Sequence, residues 1–165
     1  MIICTTISSL QTNLQQLKKQ GKKIGFIPTM GALHNGHISL IQQSKNYHYI
    51  TVCSIFVNPT QFNNSADFAK YPKTIEQDIL YLEAANCDVL FIPTVDEIYP
   101  NGIELNKQYK LGFIETVLEG SSRPGHFQGV CQVVERLLRI VEPNILFLGK
   151  KDYQQCIVIT QLVTL

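Results

Sequence analysis

One stretch constrains the fold more than any other: Gly25-Phe26-Ile27-Pro28-Thr29-Met30-Gly31-Ala32-Leu33-His34-Asn35-Gly36-His37-Ile38-Ser39-Leu40. It begins in an apolar run, Ile24 to Ile27, that reads as a short strand. Pro28 ends that strand, because proline has no N–H to give to a ladder. Gly31 permits backbone angles, or a close ligand approach, that a side chain would block. A helix is expected from Gly36 to about Asn46, with Ile38, Leu40 and Ile41 at helical spacing. The first N–H groups of such a helix lack intrahelical partners and face outward as anion donors. His34 and His37, three residues apart, share a face if both lie in the first turn. An imidazole donates a hydrogen bond to a phosphate oxygen, and a protonated one also neutralises charge. The local reading is a nucleotide-phosphate site; taken alone, the two histidines also fit a capped helix start or an ordinary polar surface.

The rest of the chain alternates in the same way. Ser8 or Ser9 caps a first helix that runs to about Gln20, with Leu10, Leu14 and Leu17 on one face and Gly21 as its stop. Tyr49 to Val57 is a nearly continuous β-branched and aromatic run, as expected of a parallel strand covered on both faces. It ends at Asn58-Pro59-Thr60-Gln61-Phe62, which reads as an Asn-Pro turn or as a polar strand end facing a ligand. Asp67 to Tyr71 is expected to be a loop, and Thr74 to Ala85 a helix with Ile75, Ile79 and Leu82 on one face. Asp88 to Pro93 reads as a strand, Asp96 to Tyr99 as a helical turn, Asn101 to Lys110 as a loop, and Lys110 to Leu118 as another strand. A Gly-rich segment, Leu118 to Val130, carries Arg123 and His126, a composition that suits an ordinary solvent loop before the next helix or a flexible loop that clamps an anion. A helix from Gly129 to about Val141 and a strand Ile145 to Leu148 follow. After Gly149-Lys150-Lys151-Asp152 the periodicity of Tyr153, Ile157, Val158, Gln161 and Leu162 favours a helix over a strand.

About five short strands alternating with helices give an α/β fold, a doubly wound parallel sheet with right-handed crossovers. Residues 28–37, 58–62 and 149–155 each follow a strand. The carboxyl ends of parallel strands lie on one edge, so these segments converge on one crevice.

The chain has 165 residues, 45% hydrophobic and 16% charged, a composition that excludes disorder and suits one domain with a sizeable core. A net charge of +1 offers no basic field for general nucleic-acid binding. No apolar run reaches the length of a membrane span, and Met1 to Thr6 shows no signal-peptide pattern. The five cysteines, Cys4, Cys53, Cys87, Cys131 and Cys156, are widely spaced and include no C-x-x-C. Free thiols in a reducing cytoplasm are expected, and neither disulfides nor a protein-built metal site. Asn63-Asn64-Ser65 matches a glycosylation sequon, which carries no weight without a secretory signal.

Residues 25–40 resemble the His-x-Gly-His signature of the nucleotidyltransferase superfamily, to which class I aminoacyl-tRNA synthetases belong. The longer string Pro28-Thr29-Met30-Gly31-Ala32-Leu33-His34-x-Gly36-His37-x-Ser39-Leu40 is similar to that of the pantothenate synthetase family. So are Ser54-Ile55-Phe56-Val57-Asn58-Pro59-x-Gln61-Phe62, the segment Leu118-Glu119-Gly120-x-x-Arg123-Pro124-Gly125-His126-Phe127-x-Gly129-Val130, and Phe147-x-Gly149-x-Lys151-Asp152-Tyr153-Gln154-Gln155. The resemblance spans essentially the whole chain and implies a single Rossmann-like domain over residues 1–165 that binds ATP and pantoate.

The resemblance also implies roles. ATP would be held by Met30, Gly31, Ala32, Leu33, His34, Asn35, Gly36 and His37 on one side, and by Gly149, Lys150, Lys151 and Asp152 on the other. Asn58, Gln61 and Gln155 would bind pantoate, with Gln61 also meeting β-alanine, and Tyr71 would line the nucleotide site. His37, His34 and Lys151 are the expected catalytic residues; Lys151 offsets charge at the α-phosphate and His37 stabilises or protonates the leaving pyrophosphate. Arg123 and His126 are placed near substrate or nucleotide, and His126 is assigned no chemical step. The implied reaction condenses pantoate with β-alanine through a pantoyl adenylate, releasing pyrophosphate and then AMP. Mg²⁺ would screen the β- and γ-phosphates. Family members continue beyond this point with a Ser-Ser-Arg loop and a C-terminal lid domain. Ser121-Ser122-Arg123 has those letters but stands in an earlier segment, so a truncated form with impaired turnover is expected. A homodimer is expected of the full-length enzyme, without nucleic-acid or membrane partners. Rival readings are another His-x-Gly-His nucleotidyltransferase and a non-catalytic adenylate-binding module.

Overall fold

A computed structural model describes residues 1–103 and 107–165. Strands β1 (Ile2–Cys4), β2 (Ile24–Thr29), β3 (Ile50–Ile55), β4 (Val89–Phe91) and β5 (Ile145–Leu146) form one sheet in the order β1-β4-β3-β2-β5. All four strand pairings are parallel, with Phe26 opposite Val52, Val52 opposite Val89, and Gly25 opposite Ile145. The helices are α1 (Ile7–Lys19), α2 (Asn35–Asn46), α3 (Ser65–Lys70), α4 (Ile75–Ala84), α5 (Val95–Ile98), α6 (Glu119–Ser122), α7 (His126–Val141) and α8 (Tyr153–Leu162).

The period-two alternation of the strands divides the core in two. Phe26, Val52, Val89 and Phe91 face one side, where Leu10 and Leu14 of α1, Val130 and Val134 of α7, and Val158 and Leu162 of α8 pack on them. Ile27, Cys53 and Leu90 face the other, against Ile41 of α2 and Leu82 of α4. Helices on both faces of a parallel sheet make the doubly wound α/β fold expected. Gly25 sets how closely α2 approaches: a Cβ there would stand 2.3 Å from Ser44 Oγ. From β2 the chain steps to β3 and β4 on one side and later returns to β5 on the other. The connections therefore diverge between β2 and β5, and open sheets bind ligands outside the carboxyl ends at such a point.

Several local expectations are corrected. Pro28 does not end β2 but lies within it, opposite Ser54. The carbonyls of Ile24 and Phe26 accept from Asn144 and Phe147 on the β5 side, so Pro28, two residues on, turns its missing N–H to that side, beyond the two residues of β5. The cap of α1 is Thr6, whose hydroxyl accepts from Ser9 N–H at 3.2 Å, in place of Ser8 or Ser9. Residues 65–70 form α3 where a loop was expected, with Asn64 as its cap. The strand expected over 110–118 is a 3-10 turn, Gly112–Thr116. Gly112 takes φ +64, and Gln154 donates to the carbonyls of Ile114 and Val117 at 2.8 Å each, drawing the backbone bonds away from any ladder. The fifth strand is instead β1, an edge strand with Ile2 and Ile3 exposed. The Gly-rich segment is ordered as α6 and the start of α7, which begins at His126, three residues earlier than expected. The expected 101–110 loop falls partly outside the described residues.

Candidate functional site at the carboxyl edge of the sheet

The turn between β2 and α2 is built by unusual capping. Gly31 and Ala32 take φ +83 and +50, reversing the chain after β2. His34 caps α2, its Nδ1 accepting Gly36 N–H at 3.1 Å, while His37 Nδ1 accepts His34 N–H at 3.3 Å. The two rings lie 4.1 Å apart. Gly36 is required by this fold-back, because a Cβ on it would stand 2.8 Å from His34 Cε1. The expectation that backbone N–H groups of this helix face a ligand is thereby narrowed. Those of Gly36, His37 and Ile38 are spent on His34. The Nε2 edge of each ring is left to meet an anion, and it carries the proton when Nδ1 accepts and the ring is neutral. Burial, then His34, then Lys151 push the His37 imidazole below its ordinary value of 6.5, against the pull of Asp78 and Asp152.

Asp78, on α4, lies beneath this turn. It is 1% exposed and accepts from Ala32 N–H at 3.0 Å and Leu33 N–H at 2.8 Å. Thr74 caps α4 without its hydroxyl accepting a helix N–H; the hydroxyl donates to the Asp78 side chain at 3.3 Å instead. The sequence did carry a signal for Asp78: a carboxylate within the apolar stripe of Ile75, Ile79 and Leu82.

The second segment follows β3. Pro59–Gln61 is a 3-10 turn with Asn58 as its cap. Asn58 is 1% exposed and its amide is spent within the protein. Its oxygen accepts from Tyr99 Oη at 2.8 Å, and its nitrogen donates to Gly129 O at 3.1 Å and to Thr60 Oγ1 at 2.9 Å. Tyr99, expected only as the end of a helical turn, thus anchors the predicted substrate amide, with the Arg136 guanidinium 4.8 Å from its ring centre. Gln61 is brought to the first segment, its Nε2 standing 2.9 Å from Met30 Sδ. Its backbone carbonyl is clamped by His126 Nδ1–H at 2.8 Å and Arg123 at 3.2 Å. Arg123 also pairs with Glu119 at 2.6 Å. His126 is 5% exposed; burial pushes its imidazole below the ordinary value, opposed by its bond to Gln61.

The third segment follows β5. Gly149 precedes a 3-10 turn, Lys150–Asp152, that runs into α8. The Lys151 side chain is 80% exposed, and among the described residues its nearest ion partner is Asp152 at 4.0 Å, yet its charge reaches His37. Gln155 is half-buried on the first turn of α8, and its buried neighbour Gln154 straps residues 114–119. Tyr71, half-buried, is pushed up by burial and then by Asp78 and Asp152, which places it beside the same cluster. A groove of about 820 Å³ between Lys107, Tyr109, Glu135, Arg139 and Leu162 lies at the far ends of α7 and α8 and shares no residue with this edge.

Fold and edge together define an α/β protein of the Rossmann-like class with paired imidazoles and a free ammonium at the switch of its sheet. The chain belongs to the pantoate-beta-alanine ligase family, whose model matches residues 2–165. It is 54% identical over 163 residues to pantothenate synthetase of Francisella tularensis subsp. novicida, covering 99% of this chain and 62% of the relative. It is 52% identical to that of Azobacteroides pseudotrichonymphae, covering 100% of this chain and 59% of the relative. The chain thus spans about three fifths of these curated relatives. Among solved structures, a pantoate-beta-alanine ligase from Francisella tularensis complexed with beta-gamma ATP and beta-alanine superposes with a TM-score of 0.94 at 52% identity, over 99% of this chain and 62% of that one. Pantothenate synthetase from Thermus thermophilus gives 0.91 at 40% identity, over 99% and 57%.

Proposed function

We propose that residues 1–165 form the ATP- and pantoate-binding domain of an ATP-dependent ligase that joins pantoate to β-alanine. The observation that carries this reading is the pair of imidazoles, His34 and His37, that cap α2 through Nδ1 and leave Nε2 for a ligand, with the Lys151 charge felt at His37. A carboxylate oxygen of pantoate attacks the α-phosphorus of ATP, and the bond to the bridging oxygen breaks to release pyrophosphate. The amine of β-alanine then attacks the acyl carbon, loses a proton, and expels AMP. Two anions must be held in line in the first step, so positioning and charge neutralisation supply most of the rate.

In this reading His37 and His34 donate from Nε2 to the phosphates as neutral rings, His37 to the leaving pyrophosphate. Lys151 offsets charge at the α-phosphate. Met30 to Leu33, Asn35 and Gly36 line the nucleotide on one side, and Gly149, Lys150 and Asp152 on the other. Gly149 supports this placement: its φ of −78° is ordinary and nothing stands within 4 Å of where a Cβ would be, so the fold alone does not call for glycine there. Gln61 and Gln155 orient pantoate and β-alanine, and Asn58 acts by holding Gln61, its amide standing 3.4 Å from Gln61 Oε1.

Mg²⁺ is proposed to arrive on the β- and γ-phosphates. Among the described residues no group of three or more His, Cys, Asp or Glu could hold a metal ion, and Asp78 is committed to backbone N–H groups. All five cysteines are free thiols, which supports a reducing, cytoplasmic setting. No helix among the described residues is long and apolar enough to cross a membrane. A homodimer and a product feeding coenzyme A synthesis belong to the same proposal and rest on family membership.

The test is pyrophosphate release from ATP, with and without pantoate, before β-alanine is added. Release that needs pantoate and vanishes in His37→Ala is the expected result. Release driven by a phosphate acceptor instead would overturn the choice of substrate.

A further inference from the structure

Asp78 is a buried carboxylate. Among the described ion pairs none includes it. Removing such a charge from water is costly unless hydrogen bonds replace the lost hydration. Here they come from the turn itself: Ala32 N–H to Oδ2, Leu33 N–H to Oδ1, and the Thr74 hydroxyl to Oδ1. The turn rests directly on the carboxylate, since a Cβ on Gly31 would stand 3.1 Å from Oδ2. An asparagine of the same shape has one acceptor oxygen, and its NH₂ would confront one of the two N–H groups. The arrangement therefore selects a carboxylate at 78, and the last residue it fixes, Leu33, adjoins His34.

We propose that Asp78 is the positioning residue of the nucleotide site: it holds the left-handed turn at Gly31 and Ala32 so that His34 and His37 cap α2 and present Nε2 to phosphate. This rests on the reading of those imidazoles as phosphate donors. Asp78 acts through the turn and touches no substrate. It also acts on His37 by charge, together with Asp152 and against His34 and Lys151, the other charged groups that face that ring. Hydrogen bonds from two backbone donors explain why the turn tolerates a left-handed Ala32, a conformation that costs a non-glycine residue of order 1 kcal/mol.

The experiment compares the wild-type chain with Asp78→Asn by titration calorimetry with Mg-ATP and by NMR titration of the histidine rings. Asp78→Asn is expected to weaken ATP binding by about tenfold or more, as small misplacements of binding groups do. It should also shift the His37 and His34 ring resonances and lower the pH at which His37 titrates, while His126, on the far side of Gln61, titrates unchanged. A merely structural role would lower thermal stability without that selective shift. Should Asp78→Asn fail to fold, Thr74→Val, which removes one of the three bonds and keeps the charge, is expected to give a several-fold loss of ATP affinity with the same ring resonances displaced. ATP affinity within twofold of wild type and unchanged His37 titration, in whichever of these variants folds, would overturn the proposal. Failure of the wild-type chain to bind ATP would overturn the nucleotide reading instead, and the ring shifts then decide by themselves whether Asp78 holds the turn.

Discussion

His37 Nδ1 accepts the backbone N–H of His34 at 3.3 Å, while His34 Nδ1 accepts that of Gly36 at 3.1 Å, so each ring does the work of a capping side chain. A ring can accept at Nδ1 only while that nitrogen is unprotonated. Acid should therefore break the cap as well as change the charge of the site. His37 and His126 both have folded-state values below the ordinary 6.5, chiefly through burial. Such groups bind more protons unfolded than folded as the pH drops below 6.5, so stability is full above that value and declines through the window beneath it. Thermal unfolding followed from neutral pH downward should show this decline, reduced in His126→Gln. NMR titration should place both rings below 6.5; His37 titrating above it would contradict the neutral-donor reading.

Gly36 separates folding from function. A Cβ on it would meet only the His34 ring, at 2.8 Å from Cε1 and 3.0 Å from Nδ1, and the ring can swing away. Alanine gains about 1 kcal/mol of helix propensity over glycine, and losing the His34 cap costs a similar amount. Gly36→Ala should thus unfold at nearly the wild-type temperature. Pyrophosphate release, or ATP affinity where turnover is too slow to read, should drop by roughly 10- to 100-fold because the His34 Nε2 edge is displaced.

Gly129 is the opposite case. A Cβ there would stand 2.3 Å from Thr60 O and 2.8 Å from Gln61 N, both backbone atoms of the turn that Asn58 caps. Neither can move without moving the turn. Overpacking of this kind costs about 1–3 kcal/mol, partly offset by alanine's helix propensity. For a domain of this size a loss of about 2 kcal/mol lowers Tm by roughly 4–8 °C. Differential scanning calorimetry on Gly129→Ala checks it; an unchanged Tm would mean that α7 and the 58–61 turn are not locked together.

The strand ends were legible in the sequence because they combine apolar runs with polar punctuation. Ile24 to Ile27, Ile50 to Ile55 and Val89 to Phe91 all stand out, and the convergence of residues 28–37, 58–62 and 149–155 follows from parallel strands alone. Less legible was anything decided by tertiary hydrogen bonds. Lys110 to Leu118 has strand-like composition, yet two glutamines bind it: Gln154 donates to the carbonyls of Ile114 and Val117, and Gln128 to the Glu115 carboxylate and to the carbonyl of Tyr109 just before it. Ile2 to Cys4 is too short to give a periodic signal and becomes a strand by pairing with Val89 to Phe91. In the site, the histidines were visible as a motif, whereas Asp78 and Tyr99 act through backbone and amide partners 45 and 41 residues away.

His126 and Arg123 both donate to Gln61 O, and neither needs to touch a substrate to matter. Removing one donor from a buried carbonyl costs about 1–3 kcal/mol. His126→Ala should therefore weaken pantoate binding by about tenfold or more, a tenfold change being about 1.4 kcal/mol. ATP affinity should stay near wild type, because the His34–His37 turn is held from α4. Arg123→Lys should show the same pattern, since one ammonium cannot replace a fork that reaches Glu119, His126 and Gln61 together. Calorimetry with each ligand separately reads the split; equal losses for ATP and pantoate would mean a general loosening of the domain.

Gly149 supplies the sharpest separation of fold from ligand. Its φ of −78° and ψ of 126° suit any residue, and a Cβ would meet nothing within 4 Å. Replacing such a glycine by alanine stiffens the unfolded chain and stabilises a protein by about 0.4–1 kcal/mol. Gly149→Ala should therefore raise Tm slightly. If ATP approaches the backbone here, as the flanking Lys150 to Asp152 turn after β5 suggests, the added methyl occupies the space of the nucleotide, and affinity should drop by about tenfold. A variant that is more stable and binds ATP as the wild type does would place the nucleotide elsewhere along the edge, leaving Lys151 to act from a distance. A variant that is more stable and binds ATP poorly would tie the segment after β5 to the nucleotide without any change in fold to confuse the result.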